Sequence, residues 1–393
     1  MHSFSANCFC ILGCAATSVA DMMASLTRSS LGSVAVGAAV GVAAGPLSRW
    51  VRRRLLSLHG GPPVVNDALA WSALHEVAAD GGFYAFYSSC AGAITTAPEL
   101  MHIPIHDHAI VRGHAVFDTC SLAEGRMYRL AIHLRRFLDS AAAARLPLPF
   151  GDSEQANIEQ MTAVIAASCR ASKRRNADVR FWLSAGSGNL GVTPDGCTPG
   201  FYVLVFGGLP GLNDDPMIDG IAEATVPESI VPLKPPYLAE LKSNNYMLNA
   251  LTMMAARDRG GRFGIGIDAA GHVRESCVLN VLSVGADGVL RTPPFKRVLA
   301  GTTARRSFEL ARESLLADGT LSGVVQEELP LATARAGTEL ILVAGDTHLY
   351  PITTLDGEPV GDGRVGPVAK ALLKLLKHDA VHGDGDHQAV PGL

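Results

Sequence analysis

Hydrophobic and polar positions follow two different periods along the chain, and together they predict a mixed fold. From about residue 83, short apolar runs are bounded by glycine and polar residues, a pattern typical of buried strands. Other segments repeat apolar residues every three or four positions, as amphipathic helices do. The strand pattern occurs in "GFYAFYSS", "AIVRGHAVFDTCSL", "VRFWLSAG", "GFYVLVFGG", "FGIGID", "HVRESCVLNVLSV" and "TELILVAGD".

The helical pattern occurs in both halves of the chain. In "GRMYRLAIHLRRFLDSAAAARL", a strand running into a helix, the apolar stripe consists of Leu134, Phe137, Leu138 and Ala141. "DSEQANIEQMTAVIAASCRA" opens with an Asp-Ser start signal. A third helix carries Met247, Ala250, Leu251 and Met254 at helical spacing and is stopped by Gly260 and Gly261. "LAGTTARRSFELARESLLADG" is predicted as a tight turn opening a helix, and "KALLKLLKHD" as a closing amphipathic helix.

Composition shifts divide the chain into five segments. Residues 1–66 form a leader-like segment, and residues 67–206 are predicted to form a smaller α/β domain. A Gly-, Pro- and Asp-rich linker over 207–219 precedes a larger α/β domain over 220–380. The polar, His- and Gly-rich tail over 381–393 is predicted to be disordered.

Composition and charge exclude several classes of protein. The chain has 393 residues, of which 48% are apolar and 18% charged, as expected of a soluble globular protein. A net charge of -4 argues against a nucleic-acid partner or a membrane surface for the body of the protein. The eight cysteines lack CxxC spacing, which is typical of reduced intracellular thiols.

The leader, 1–66, differs from the rest of the chain. It contains one acid, Asp21, against five arginines, and it is rich in Ala, Ser and Gly. This predicts an organelle transit peptide for a plastid or a mitochondrion; without it the protein would be cytoplasmic. A disordered extension, a misassigned start and a single membrane anchor are the alternatives. The run "LGSVAVGAAVGVAAG" is shorter than the roughly 20 apolar residues that a span needs, so we expect no membrane contact of the mature protein.

Three motifs invite a functional interpretation that their context does not support. "GSGNLG", residues 186–191, fits a dinucleotide fingerprint, but "VTPDGCTPG" follows it and supplies no helix for the pyrophosphate. The histidines of "HIPIHDHAIVRGH" could bind a metal, but a His-rich turn is the simpler interpretation. Cys8, Cys10 and Cys14 have no second ligand pair. We therefore predict no metal site.

A further set of residues meets the demands of one cofactor. Lys242, in "ELKSNNYMLNAL", offers an amine, and Glu275 offers a carboxylate about thirty residues downstream. "GTTARRSFEL" places Thr302 and Thr303 at a helix start, where free N–H groups bind anions. Arg136 could hold a phosphate in a bidentate grip. Pyridoxal 5'-phosphate needs an amine, an acidic partner for its pyridine nitrogen and an anion site.

Each of these residues also has an ordinary alternative when it is taken alone. A lysine beside an Asn pair is usually solvated, and a glutamate on a strand usually lies at an edge. Two threonines after a glycine usually cap a helix. An arginine in an Arg-Arg pair is usually a surface charge. The residues alone therefore leave the cofactor open.

The motifs in their order resemble one family of enzymes. "LKSNNYMLNAL", "VRESCVLNV" and "TPPFKRVLAGTTARRSFELA" resemble the class IV pyridoxal-phosphate aminotransferases, and so does "RGHAVFDTCSLAEGRMYRLAIHLRRFLDSA" in the first half. The resemblance covers roughly residues 83–378. Within the family, "HDHAIVRGHAVFDT", "FWLSAG" and "GPVAKALLKLL" are most similar to the plant D-amino-acid aminotransferase and aminodeoxychorismate lyase group.

The resemblance implies a fold and a role for each candidate residue. The fold would be type IV, with an α+β N-terminal domain, an α/β barrel-like C-terminal domain that binds the cofactor, and the site between them. Lys242 would form a Schiff base with the cofactor and move the proton between the substrate Cα and the cofactor C4′. Glu275 would bind the pyridine nitrogen, and Arg136, Thr302 and Thr303 the phosphate. The implied substrate-binding residues are Phe117, Arg112, Gly345, Asp346 and Thr347.

The implied activity is the transfer of an amino group between an amino acid and a 2-oxo acid in a homodimer. A D-amino acid such as D-alanine is the expected donor. The alternatives are a 4-amino-4-deoxychorismate lyase, a branched-chain L-amino-acid aminotransferase, and a catalytically silent protein that binds the cofactor. One departure bears on the substrate: where the family often carries an Arg-Gly pair, this chain has "SAGSGNLG". The amino donor therefore stays open.

Overall fold

A computed structural model of the chain describes residues 82–207, 216–345, 348–383 and 387–393. The predicted leader over 1–66 and most of the predicted linker over 207–219 lie outside these residues. Residues 82–393 form one compact unit that contains both helices and sheets, as the sequence pattern predicts. The division into domains over 67–206 and 220–380 stays a prediction.

The described strands group into three sheets. In chain order they are β1 (Phe83–Ser88), β2 (Ala93–Thr95), β3 (Ala115–Ala123), β4 (Arg126–Tyr128), β5 (Ala177–Ser187), β6 (Thr198–Phe206), β7 (Ile221–Glu223), β8 (Thr225–Pro227), β9 (Ile265–Ile267), β10 (Val273–Ser276), β11 (Asn280–Val284), β12 (Val289–Thr292), β13 (Gly323–Gln326), β14 (Glu339–Val343), β15 (Leu349–Leu355), β16 (Glu358–Pro359) and β17 (His387–Ala389).

The described helices lie between and beside these strands. They are α1 (His108–Val111), α2 (Leu130–Ala143), α3 (Glu154–Ser172), α4 (Pro216–Asp219), α5 (Pro236–Ala239), α6 (Met247–Arg257), α7 (Thr302–Leu310), α8 (Leu331–Arg335) and α9 (Pro367–His382), with a 3-10 turn over Pro98–Leu100 and a π-helical turn over Ala311–Leu315. Among the described residues, no helix is long and apolar enough to cross a membrane.

The first sheet is antiparallel and has seven strands in the order β17-β4-β3-β5-β6-β1-β2. The predicted stripe of α2 is buried, with Leu134, Phe137 and Leu138 in the hydrophobic core of this sheet. Strand β4 pairs with β3 only at Leu122 and Ala123. The N-terminal part of β3 therefore keeps an edge that another segment can occupy.

The second half contains a three-stranded sheet, β10-β9-β8, and a seven-stranded sheet. The larger sheet runs β13-β12-β11-β14-β15-β16, with β7 paired to β15. Its side chains alternate between two cores, as strand geometry requires. Leu282 and Val284 of β11 face the core that contains α7 and α9, whereas Val281 faces the core that contains β9.

Three segments differ from the elements that the sequence predicts. The strand predicted over "AIVRGHAVFDTCSL" begins as helix α1, because Asp107 caps it by accepting a hydrogen bond from the N–H of Ala109 at 2.8 Å. The strand predicted over "HVRESCVLNVLSV" is divided into β10 and β11 by a turn that Ser276 N–H closes onto Leu279 O at 2.8 Å. That turn follows Glu275 immediately.

The third difference is the tail, which the sequence predicts to be disordered from residue 381. Helix α9 continues to His382, and β17 pairs with β4 through His387 and Tyr128. Val390 is buried in the core of the first sheet. The sequence does not predict this ordered tail because its composition is polar and only Val390 and Leu393 contact the core.

Candidate active site

Lys242 is held by backbone pairing with the open edge of β3. The N–H of Phe117 donates to Lys242 O at 2.8 Å, and the N–H of Asn244 donates to Ala115 O at 2.9 Å. Ser243 lies opposite Val116 in an antiparallel bridge. The short strand β4 leaves this edge free, so the first sheet fixes the backbone of a residue that precedes the second half's helix α6.

The amine of Lys242 lies in an aromatic and cationic environment. Its Nζ is 4.9 Å from the ring centroid of Phe117, and Phe117 packs edge-on against Tyr246 at 5.2 Å. Burial, reinforced by the positive charge of Arg136, lowers the pKa of Lys242 to about 7. A substantial fraction of this amine is therefore neutral near neutral pH, as a nucleophile or a general base must be.

Arg136 is fixed by a buried carboxylate that the sequence analysis did not single out. Its Nε donates to Asp118 Oδ2 at 2.9 Å, its Nη2 donates to Asp118 Oδ1 at 2.7 Å, and its Nη1 donates to Ala300 O at 3.3 Å. Although burial opposes it, the guanidinium of Arg136 and the imidazole of His133 hold the pKa of Asp118 well below its usual range. The bidentate pair orients the guanidinium toward the loop that precedes α7.

His133 connects this pair to the first turn of α7. Its Nδ1 is 2.9 Å from Asp118 Oδ1, and its Nε2 is 3.5 Å from Thr302 Oγ1. Thr302 and Thr303 are buried at the N-terminus of a helix of nine residues. The N-terminal N–H groups and the helix dipole make this turn suitable for a phosphate.

Gly301, the N-cap of α7, permits a close approach by Asn280. A Cβ at position 301 would collide with Asn280 Oδ1. Asn280 Nδ2 also donates to Leu299 O at 2.8 Å, so the side chain of Asn280 supports the loop on both sides of Ala300. The structure therefore assigns a structural contact to Asn280 and explains the glycine before the two threonines.

Glu275 is the third residue of β10 and lies beside the same loop. Its Oε2 accepts a hydrogen bond from the N–H of Leu299 at 3.0 Å, and its Oε1 is 3.9 Å from Lys234 Nζ. Burial raises the pKa of Glu275, while the positive charges of Lys234 and Lys242 oppose the rise. Asn249 of α6 donates to Cys277 O and so fixes the turn after Glu275.

Lys234 is a second lysine at this site. Its Nζ lies 4.9 Å from the ring centroid of Tyr246, and burial lowers its pKa. Lys234 and Glu275 both line a cavity of about 440 Å³, together with Glu228, Pro232, Leu233, Pro235, Pro236, Ala239, Asp268, Arg274 and Arg297.

Arg180 of β5 is a further cation beside Phe117. Its guanidinium carbon lies 5.2 Å from the ring centroid of Phe117, and its Nε donates to Thr119 Oγ1 at 2.9 Å. Within the described part of the chain, no carboxylate lies within ion-pair distance of Arg180. Burial lowers the pKa of Arg180, which shows that its charge is poorly solvated. An anionic ligand beside the guanidinium would therefore stabilise this charge.

The structure brings Lys242, Phe117, Arg136, Thr302, Thr303 and Glu275 into one region, and it leaves other predicted residues elsewhere. The guanidinium of Arg112 is exposed and donates to Leu190 O, to Gly191 O at 2.8 Å and to Val111 O at 2.7 Å. Gly345 lies in the loop after β14. Val343 of β14 pairs with Asn280, which contacts the loop before α7, so Gly345 lies near the N-terminus of α7 in the sheet. Asp346 and Thr347 lie outside the described residues.

The remaining motifs have structural positions of their own. "GSGNLG" lies at the end of β5 and in the loop of the β5–β6 hairpin, where a Cβ at Gly186 would collide with Thr198 O. His108 is buried in α1, whereas His102 and His106 are exposed and His114 Nε2 is 2.8 Å from Ala144 O. No group of three or more His, Cys, Asp or Glu side chains among the described residues could hold a metal ion.

Sequence patterns did not identify four members of the site: Asp118, His133, Lys234 and Arg180. Two of them, Asp118 and His133, could have been detected in the sequence. A buried acid on a strand needs polar or cationic partners, and His133 and Arg136, the two partners of Asp118, lie one helical turn apart on α2. Lys234 and Arg180 had none, since their neighbours come from distant segments.

The assembled side chains fit pyridoxal phosphate. They provide a partly neutral amine, two aromatic rings, a carboxylate, and an arginine beside a helix N-terminus. An aldehyde, a planar ring, a pyridine nitrogen and a phosphate each find a complementary group in this set.

Comparison with known proteins identifies a family and several relatives. The family model described as amino-transferase class IV matches residues 115–355. The chain is 37% identical over 299 residues to a chloroplastic D-amino-acid transaminase of Arabidopsis thaliana, which covers 76% of each chain. It is 27% identical over 277 residues to a putative branched-chain-amino-acid aminotransferase of Methanocaldococcus jannaschii, covering 70% of this chain and 90% of the relative.

A solved structure has the same fold. The branched-chain amino acid aminotransferase of Escherichia coli superposes with a TM-score of 0.67, covering 79% of this chain and 99% of that one at 23% identity. The predicted type IV fold is confirmed by this similarity.

Proposed function

The chain belongs to the class IV aminotransferases, which depend on pyridoxal phosphate, and from this premise we propose that it transfers the amino group of a D-amino acid to a 2-oxo acid. The observation that carries the choice of a D-amino acid is the 37% identity to the Arabidopsis thaliana D-amino-acid transaminase, against 27% for the branched-chain relatives. A small donor such as D-alanine is the simplest candidate.

The proposed roles follow from what each side chain can bind or protonate. Bound pyridoxal phosphate supplies an electron sink that makes the Cα proton of an amino acid labile. Lys242 Nζ is the group that accepts and returns this proton, because a pKa of about 7 leaves it able to do both. Glu275 binds the ring nitrogen. Arg136, oriented by Asp118, binds the phosphate together with the first turn of α7.

Phe117 and Arg180 are proposed to define the substrate side of the site. Phe117 shields the amine from water, since its ring lies 4.9 Å from Lys242 Nζ. Arg180 is a partly buried guanidinium beside that ring, so a substrate carboxylate would be its natural partner. Replacing it in R180M should raise KM for the amino acid at least about tenfold. R180K, which keeps the charge, should lose less.

A homodimer and an organellar location are part of the proposal. The apolar stripe of α6 is exposed in the single chain, with Met247 at 77% and Met254 at 60%, which favours a second copy covering it. The transaminase relative is chloroplastic, and the acid-poor segment over 1–66 has the composition of a transit peptide. We therefore propose a plastid enzyme.

Product analysis with defined donors tests the proposed reaction. The full chain with pyridoxal phosphate is incubated with 2-oxoglutarate and, separately, with D-alanine, L-alanine or L-leucine. Chiral chromatography then identifies the amino acid formed. We expect pyruvate and D-glutamate from D-alanine and little product from the two L-amino acids. The K242A variant, which lacks the amine, should form no product.

Three other outcomes would replace this proposal. Turnover of L-leucine in preference to D-alanine would favour a branched-chain L-amino-acid aminotransferase, to which the 27% relatives point. Release of pyruvate from 4-amino-4-deoxychorismate without any amino acceptor, and no reaction with D-alanine, would favour the lyase. If the cofactor were bound but none of these substrates reacted, the chain would be a silent binding protein.

A further inference from the structure

Glu275 has one neighbour that its proposed role does not require, the ammonium group of Lys234. The two side chains are 12% and 19% exposed, and Lys234 Nζ lies 3.9 Å from Glu275 Oε1. The other carboxylate oxygen is occupied by the N–H of Leu299 at 3.0 Å. The carboxylate is therefore held between a backbone donor and a cation in a setting with little water.

The backbone around Lys234 restricts where its ammonium can lie. Pro235 follows it directly, which biases Lys234 toward an extended conformation, and Pro236 begins helix α5. The ammonium also packs on the face of Tyr246, 4.9 Å from the centroid. Tyr246 in turn contacts Phe117, and the amine of Lys242 packs on the ring of Phe117. The two lysines thus lie on the two members of one aromatic pair.

We propose that Lys234 is a positioning residue that keeps Glu275 ionised and so places the shared proton on the cofactor's ring nitrogen. The inference rests on the proposed function of Glu275. A cation 3.9 Å from the carboxylate would stabilise the form in which the carboxylate is negative and the ring nitrogen carries the proton. Without Lys234 the same proton lies on Glu275, and the ring is a weaker electron sink.

The other groups that face this pair do not replace Lys234. Lys242 also bears on Glu275, but its charge is partly lost near neutral pH because its pKa is about 7. Tyr246 and Cys277 are neutral there, since burial raises the pKa of each. Burial raises the pKa of Glu275 itself, so the opposing charge of Lys234 has a measurable effect.

The experiment compares K234M, which removes the charge and keeps the length, with K234R, which keeps the charge. K296M, at an exposed lysine, is the matched control. Each full-length variant is loaded with pyridoxal phosphate labelled with ¹⁵N in the ring, and the ¹⁵N chemical shift reports whether that nitrogen is protonated. In the cofactor-free variants, ¹³C shifts of labelled glutamate, assigned with E275Q, give the pKa of Glu275.

We expect K234M to raise the pKa of Glu275 by about one unit or more and to move the ring-nitrogen shift toward the unprotonated value. K234R and K296M should match the natural protein. Cofactor held by K234M with an unchanged nitrogen shift would overturn the inference and leave the proposed function intact. If the natural protein failed to bind the cofactor, both would fall. K234Q serves the same comparison if K234M does not fold.

Discussion

At the scale of single residues, the protonation of Lys242 decides when its amine can react. Its pKa of about 7 predicts that cofactor incorporation into the cofactor-free chain accelerates as pH rises through about 7 and then levels off. An ordinary solvated lysine would give a rate that continues to rise toward about pH 10. Stopped-flow absorbance in the visible range measures this profile.

A matched variant separates the local charges from burial. Arg180 is one of the cations that lower the pKa of Lys242, so R180M should move the inflection to a higher pH. If the incorporation rate of the natural protein continued to rise toward about pH 10, as for a solvated lysine, the assignment of Lys242 as the reactive amine would be contradicted.

Asp118 is a second residue whose replacement has a clear expected result. D118N leaves the partly buried guanidinium of Arg136 and the buried imidazole of His133 without their carboxylate, which should lower the free energy of unfolding by about 3 kcal/mol and weaken cofactor retention. Since the pKa of Asp118 is depressed in the folded chain, its contribution is complete above about pH 4 and is lost as pH falls below that value.

Denaturant unfolding at several pH values measures both effects. The natural protein should lose stability relative to D118N as pH falls below about 4, and the difference should be constant at neutral pH. D287N is the control, because the Asp287–Arg291 pair lies at the surface and its loss should change little. Equal effects of D118N and D287N at neutral pH would contradict the anchoring role of Asp118.

At the scale of elements, the start of α7 depends on a glycine. In G301A the new Cβ collides with Asn280 Oδ1, so the first turn must shift away from the loop over Leu299 and Ala300. We expect the dissociation constant for pyridoxal phosphate to rise at least about tenfold, corresponding to about 1.4 kcal/mol. The double variant G301A/N280A removes the colliding oxygen and should recover part of the affinity. Fluorescence titration of the cofactor measures both.

Hydrophobic periodicity predicts some of the helices and strands correctly and fails for others. Periodicity predicts α2 correctly because its apolar stripe packs in one core, as Phe137 does. It does not reveal the turn after Glu275, since "HVRESCVLNVLSV" mixes apolar and polar residues on both faces and the two strands that it forms are mostly buried. Nor does it separate α1 from β3. Asp107 caps α1 and Gly113, with its positive φ, turns the chain into β3, but α1 has only four residues, too few to show a helical period.

At the scale of the whole molecule, the order of motifs points to the proposed reactive groups but not to the residues around them. Lys242, Glu275 and Arg136 are found from local motifs and the family resemblance. The contacts that tune them cross long stretches of chain, as Lys234 does to Glu275 and as Phe117 does to Lys242. A one-dimensional pattern carries no information about such pairings. The tail over 387–393 is a similar case, since its place in the first sheet depends on the open edge of β4.

The exposed face of α6 gives the last prediction. Helical spacing predicts a helix there, but Leu251 and Met254 are 41% and 60% exposed, so this stripe is not part of the chain's own core. If a second copy covers it, L251K and M254K should shift the protein from dimer to monomer, because burying a lysine in an apolar interface is costly. Light scattering coupled to size exclusion measures the mass.

A comparable exposed leucine on another surface provides the control. Leu316 is 40% exposed, close to the exposure of Leu251, and L316K should leave the mass unchanged. Because the α6 face begins one residue after Tyr246, loss of the dimer should also loosen the aromatic pair beside Lys242 and reduce kcat in parallel with the mass. A natural protein that is monomeric and fully active would refute the homodimer and would leave the stripe of α6 to a different partner.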